Sequence, residues 1–170
     1  MQEIPTATDI RAYETVALFG RLLETAVNRV LHQRFDIAWE EYAVLSALHR
    51  SPHQFLHMTE VATALGFSRS RVTRAITRQE LQGRVTRSAC PRDARATHAA
   101  VTAQGTALLD RISDTYEAAV RGSLTRLSIG AEQVEGLVKQ LEPLSGLRAR
   151  SKSAINCARR RRSGAPNSSG

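Results

Sequence analysis

Long apolar runs are missing from this sequence. Its 170 residues contain no stretch of about 18 consecutive apolar side chains, which excludes a membrane-crossing helix. The opening Met1-Gln2-Glu3-Ile4-Pro5 lacks the basic start and apolar stretch of a secretory leader. Cysteine is scarce as well: Cys90 and Cys157 cannot make a disulfide framework. Together these absences predict a cytoplasmic protein. Aromatic residues make up only 5%, so the core must be built from Leu, Val, Ile and Ala, a set that suits helices. No nucleophile elbow, phosphate loop, HExxH or paired-cysteine motif occurs, so no residues nominate a reaction or call for a cofactor. Nothing repeats internally.

What is plentiful is positive charge, and its placement says more than its total of +8. Residues 1–67 carry net −3, residues 68–98 net +6, residues 99–147 net −2 and residues 148–170 net +7. The body is thus slightly acidic, interrupted by one basic block and followed by one basic tail. A basic stretch inside a folded region is the electrostatic footprint of phosphate binding. Charge alone suits a solvated arginine-rich helix face equally well.

Residues 9–35 read as one long helix with Asp9 as N-cap. Its apolar band of Tyr13, Val16, Leu23, Val27 and Val30, widened by Leu18, Phe19 and Leu22, is too broad for a single packing partner. A second helix spans 39–49 and stops at Ser51-Pro52-His53. Residues 55–58 suit a small strand. Thr59 is placed as N-cap of a third helix over 60–65, Gly66 supplies a turn, and a fourth helix runs from Arg69 to Gln82 and ends at Gly83. Val85-Thr86-Arg87 and residues 97–101 suit two short strands, with Cys90-Pro91-Arg92-Asp93 as the loop between them. Thr102 caps another long helix whose stripe, Leu109, Ile112, Tyr116, Val120, Leu124 and Leu127, is close to heptad spacing. Ser128 is placed as N-cap of the last helix. From Arg148 onward the composition is that of a disordered tail, with the run Arg159-Arg160-Arg161-Arg162.

Two short helices joined by a glycine turn, the second rich in arginine, form a helix-turn-helix pattern, and the basic hairpin after it supplies a wing. Val72 and Ile76 face inward, four residues apart. Arg69, Ser70, Thr73, Arg74 and Thr77 then fall on the outer face, where Arg can reach guanine edges or phosphate and Ser or Thr can bond to either. Arg92 and Arg95 near the hairpin tip can lie along the backbone or enter a minor groove.

Three segments carry a more specific likeness. Residues 41–48, Glu-Tyr-Ala-Val-Leu-Ser-Ala-Leu, resemble the second-helix motif of MarR-family regulators. Residues 59–74, Thr59 to Arg74, resemble that family's helix-turn-helix signature. Asp93-Ala94-Arg95 with Val101-Thr102-Ala103-Gln104-Gly105 resembles its wing and the start of the next helix. The resemblance covers residues 9–145. It implies a mainly α fold with a small β-hairpin wing, a winged helix-turn-helix over about 38–102, and N- and C-terminal dimerisation helices over about 9–35 and 103–146. Residues 1–8 are then an N-terminal extension and 148–170 a basic disordered tail. A homodimer on a pseudo-palindromic operator follows, with half-sites about 34 Å apart. By the same resemblance Ser68, Arg69, Ser70, Thr73, Arg74 and Arg95 contact double-stranded DNA, and Asp93 orients Arg95; Arg71 and Thr77 on the same helix and Arg92 at the hairpin tip are placed with them. The family pattern has Leu where this chain has Gln79, an apolar residue where it has Arg84, and Leu where it has Val101. An unpartnered Gln79 would weaken the module by about 1–3 kcal/mol.

The resemblance also implies a small anionic or aromatic effector, for which Trp39, Tyr42, His49 and Arg50 are the candidate pocket; Trp39 and Tyr42 suit ordinary packing as well. Cys90 lies beside Arg87 and Arg92, which lower a thiol pKa, so it is the candidate redox residue, or an incidental exposed cysteine. His49, His53 and His57 recur every four residues, but Pro52 interrupts the helix and no cysteine or carboxylate cluster joins them, so no metal site is assigned. His98 is placed at the phosphate side of the wing or in solvent. The function that fits best is a sequence-specific, ligand-responsive repressor; the alternative is an architectural or weakly specific DNA-binding protein that uses the basic tail.

Overall fold

The computed structural model describes residues 6–52, 55–90 and 93–141, without the side chains of residues 90 and 93–96. The tail, His53, Arg92 and the side chains of Cys90, Asp93 and Arg95 therefore lie outside the described residues. Among those described, no helix is long and apolar enough to cross a membrane.

The order of elements is α1 (Ala7–Phe35), α2 (Trp39–Arg50), β1 (Phe55–His57), α3 (Met58–Leu65), α4 (Arg69–Leu81), β2 (Val85–Cys90), β3 (Asp93–Val101), α5 (Ala103–Arg126) and α6 (Ala131–Leu141). Two helix starts differ from expectation for one reason, that a carboxylate three residues in decides the cap, and a third differs through its backbone conformation. Thr6, not Asp9, caps α1. The Thr6 hydroxyl accepts the Asp9 N–H at 3.2 Å, and the Asp9 carboxylate accepts the Thr6 N–H at 2.8 Å. His57, not Thr59, caps α3, because Glu60 accepts the His57 N–H at 2.8 Å. Ser128 does not cap α6. It sits at φ 55°, and the helix starts three residues later, after Gly130 donates its N–H to Gln133 at 2.7 Å.

The strands form an antiparallel sheet in the order β1-β3-β2. The β2–β3 hairpin pairs Val85 with Val101 at its base and Cys90 with Asp93 near its tip, so the wing is longer than its apolar residues indicated.

The core centres on α2. Val44, Leu45 and Leu48 are wholly buried there, and Leu31 from α1, Val72 and Ile76 from α4, and Ile112 from α5 close round them. Each such side chain contributes about 1.5–3 kcal/mol relative to exposure. The long band of α1 divides. Val27 and Leu31 are covered within the chain, whereas Tyr13 is 75% and Val16 63% exposed.

Glycine is needed at two points that set the helix-turn-helix and the wing. Gly66 holds φ 64° in the turn between α3 and α4, a conformation that costs other residues strain. Gly105 lies in the first turn of α5, where an added Cβ would stand 2.4 Å from the Arg84 carbonyl oxygen and 2.8 Å from a Val101 methyl. Gly105→Ala should therefore push α5 off the base of the wing and destabilise the fold by about 1–3 kcal/mol in urea titration. Wild-type stability in that variant would refute the close packing.

Candidate nucleic-acid interface

The direction of each α4 side chain follows from what the helix buries. Val72, Ala75, Ile76 and Gln79 are inward. Arg69, Ser70, Thr73 and Arg74 are exposed on the opposite side, as the spacing requires. Ser68 caps the helix: its hydroxyl accepts the Arg71 N–H at 3.3 Å and lies 3.1 Å from the Ser70 hydroxyl. The outward row is thus a short strip of two guanidinium and several hydroxyl groups at the start of α4. Hydroxyls and guanidinium groups are the donors that duplex DNA accepts at phosphates and base edges.

Arg71 does not join that row. Its Nη2 donates to Glu24 of α1 at 2.9 Å and to Glu40 of α2 at 2.8 Å, and its guanidinium lies over the Phe67 ring at 4.3 Å. Burial would lower the Arg71 pKa, but the bonds and charges of Glu40 and Glu24 outweigh it and raise it. Burial would likewise raise the Glu40 carboxyl; the bond from its own N–H, the bond and charge of Arg71 and the charge of Arg74 hold it below the usual value. Arg71 stands four residues before Ala75, on the flank of the buried face, and that position was the signal available in the sequence.

Thr77 is also occupied. Arg87 of β2 donates to the Thr77 hydroxyl at 3.2 Å and through Nε to Glu80 at 2.8 Å, with a second, shorter bond from its Nη2 to Glu80. The bond from Arg87 lowers the Glu80 pKa. This network fastens the wing to α4. Arg78, exposed, reaches the buried Glu41 carboxylate at 3.3 Å.

Gln79 and Arg84 meet each other: the Arg84 guanidinium donates to the Gln79 side-chain oxygen at 3.3 Å. The Gln79 amide nitrogen, buried, has no partner. His98 is not at the phosphate side or in solvent. It is 5% exposed, and its Nε2 lies 3.0 Å from that of His57, its cross-strand partner. No group of three or more metal-ligating side chains occurs among the described residues.

The four pocket candidates are distributed along α2. Trp39 meets Phe67 edge-on at 5.6 Å, and Tyr42 lies 4.4 Å from Tyr116 of α5. Burial raises the pKa of both tyrosines, and the Arg50 charge opposes it. His49 is half-buried with Nδ1 unpartnered, and Arg50 is exposed and donates to the Ser46 carbonyl at 3.3 Å.

Two substitutions test these assignments. Gln79→Leu removes a buried amide nitrogen that lacks a partner and should stabilise the protein by about 1–2 kcal/mol in chemical denaturation. Because the Glu40 pKa is lowered on folding, its contribution is whole above the ordinary value of 4.5 and is lost as pH falls through the folded value. Glu40→Gln should therefore be less stable than wild type at neutral pH, by about 0.2–1 kcal/mol for so exposed a pair, and the two should converge in acid. A gap that widens on acidification would overturn the assignment.

Comparison with known proteins agrees with this geometry. Residues 35–96 match the model of the MarR family. No curated protein matches the chain. Sco3205, a MarR family transcriptional regulator from Streptomyces coelicolor solved in complex with DNA, is 28% identical, with a TM-score of 0.71 over 85% of this chain and 89% of its own. AbsC, a MarR family regulator from the same organism, is 29% identical, with a TM-score of 0.68 over 84% of this chain and 95% of its own. BpsR of Bordetella bronchiseptica, whose DNA binding is regulated by 6-hydroxynicotinic acid, shares the fold at 18% identity, with a TM-score of 0.63 over 78% of this chain and 98% of its own. The matched segment, the two Streptomyces neighbours and the fold together make this chain similar to the MarR family of transcriptional regulators, with their winged helix-turn-helix architecture.

Proposed function

We propose that the protein is a homodimeric repressor that binds a pseudo-palindromic operator in cytoplasmic DNA and releases it on binding a small anionic or aromatic effector. The observation that carries the DNA reading is the exposed strip of Arg69, Ser70, Thr73 and Arg74, held outward by the buried face of α4 beside a fastened wing. Arg74 reads base edges from the major groove, and Arg95, supported by Asp93, contacts the backbone or minor groove with Arg92. Ser68 and Ser70 bond phosphate. Arg71 and Thr77, both committed to bonds within the protein, support the reading helix.

The apolar exposure of α1 supports the dimer. Ile10 is 50%, Tyr13 75%, Val16 63%, Leu18 51% and Leu22 48% exposed, and Leu137 and Val138 of α6 add to the uncovered apolar surface. Scattered single leucines need no explanation, but this density along one helix supports an interface there. A two-fold axis through α1 and α6 would set two reading helices one turn of DNA apart, about 34 Å. The effector reading rests on the aromatic cluster of Trp39, Tyr42 and Tyr116 beside the Arg50 charge, and on the regulation of BpsR by an aromatic acid.

Sedimentation and selection of bound duplexes from a random pool test this reading together. The expected result is a dimer that selects paired inverted half-sites and prefers them to random DNA by at least about 10³. Equal affinity for both would favour an architectural role instead. Arg74→Ala should cost about 1–3 kcal/mol and relax preference at one position, and Arg95→Ala should weaken binding to many sequences and lower its salt slope. Wild-type mobility shifts in both variants would refute the placement of the DNA face.

A further inference from the structure

The reading helix packs on α2, α3 and β2, whereas α1 packs on α5 and α2. The two helices that matter most to a DNA-bound dimer, α1 and α4, are therefore joined mainly through α2. Among the described residues, one ion pair crosses directly between them. Arg71, in the first turn of α4, bonds Glu24 of α1 at 2.9 Å while a second carboxylate, Glu40, holds the same nitrogen at 2.8 Å. The Phe67 ring beneath the guanidinium restricts it further, at 4.3 Å, and Phe67 is in turn buttressed by Trp39. Glu24 stands two residues beyond Leu22, the last strongly exposed apolar side chain of α1, so the tie begins where the uncovered stretch ends.

We infer that Arg71 is a positioning residue that fixes the half-site separation accepted by the protein, by tying α4 to Glu24 of α1. The inference rests on the dimer proposed above. In a dimer built on α1, the distance between the two reading helices depends on the angle of each winged module to α1. A water entering the Arg71–Glu24 contact lengthens that span between α4 and α1 by about 3 Å. One base-pair step of B-DNA is about 3.4 Å. Loss of this single contact is thus of the size that lets the dimer accept a site one base pair longer or shorter. Arg71 accordingly shapes specificity without touching a base.

The test uses the full chain and a duplex pool in which the selected half-sites are held at separations differing by one base pair. Wild type should prefer its best separation over its neighbours by about tenfold or more, and Glu24→Gln and Arg71→Met should both reduce that preference to about threefold or less. Both should keep the half-site sequence, and Arg71→Lys should restore the preference. Glu24→Gln is decisive because Glu24 lies on α1, outside the DNA face. Unchanged spacing preference in Glu24→Gln overturns the inference alone. So does an Arg71→Met variant that loses affinity equally at every separation with a lower salt slope, since that is a phosphate contact. A wild-type chain that selects single half-sites overturns the dimer and this inference together. Thermal melts identify a variant that has failed to fold, and the milder Glu24→Gln then carries the result.

Discussion

Burial of Val72, Ala75 and Ile76 against the α2-centred core fixes the direction of every other residue on α4. A helix has one apolar stripe to hide, and once three side chains have filled the core the remaining positions are assigned by rotation alone. The proposed DNA face is therefore a consequence of packing. Rotation also explains why neighbouring arginines in one short helix differ so much. Arg69 and Arg74 stand clear on the outward side, Arg71 falls on the flank beside two carboxylates, and Arg78 reaches over to buried Glu41.

The basic block is correspondingly less available than its net charge suggests. Of the arginines in residues 68–98 with described side chains, Arg71, Arg78 and Arg87 are paired with carboxylates, and Arg84 bonds Gln79. Arg69 and Arg74 remain unengaged by any described ion pair. Three of the carboxylates that take up the others, Glu24, Glu40 and Glu41, come from the acidic part of the chain. The acidic body and the basic island are thus partly one network, in which negative charge positions α4 and the leftover positive charge is the part proposed to meet DNA.

Periodicity made the helices, the inward pair Val72 and Ile76, the glycine turn at Gly66 and the Thr102 cap legible in the sequence, because each depends on near neighbours in the chain. Three helix starts were misplaced because a hydroxyl or carboxylate close to a helix start looks like a cap until a partner three residues away, or the local φ, decides between candidates. Contacts across long separations were illegible for a different reason. The Arg71–Glu24 tie spans 47 residues and the His57–His98 pair 41, and composition holds no record of which distant side chains will meet. The departures Gln79 and Arg84 were visible as oddities one by one; only the fold shows that they bond each other.

Thr102 has a role that extends beyond its cap. Its N–H donates to the Arg84 carbonyl at 3.0 Å, its hydroxyl donates to the Gly83 carbonyl at 2.8 Å, and the same oxygen accepts the Gly105 N–H at 3.1 Å. One residue closes the hairpin, stops the sheet and starts α5, leaving no spare backbone between wing and helix. Insertions and deletions are accommodated where a connection has slack. This junction has none, so a residue added there would turn α5 about its axis by roughly 100° relative to the wing, given 3.6 residues per turn. Length variation among descendants of this chain is therefore expected to collect at the hairpin tip and between α5 and α6, and to spare the seam at Thr102.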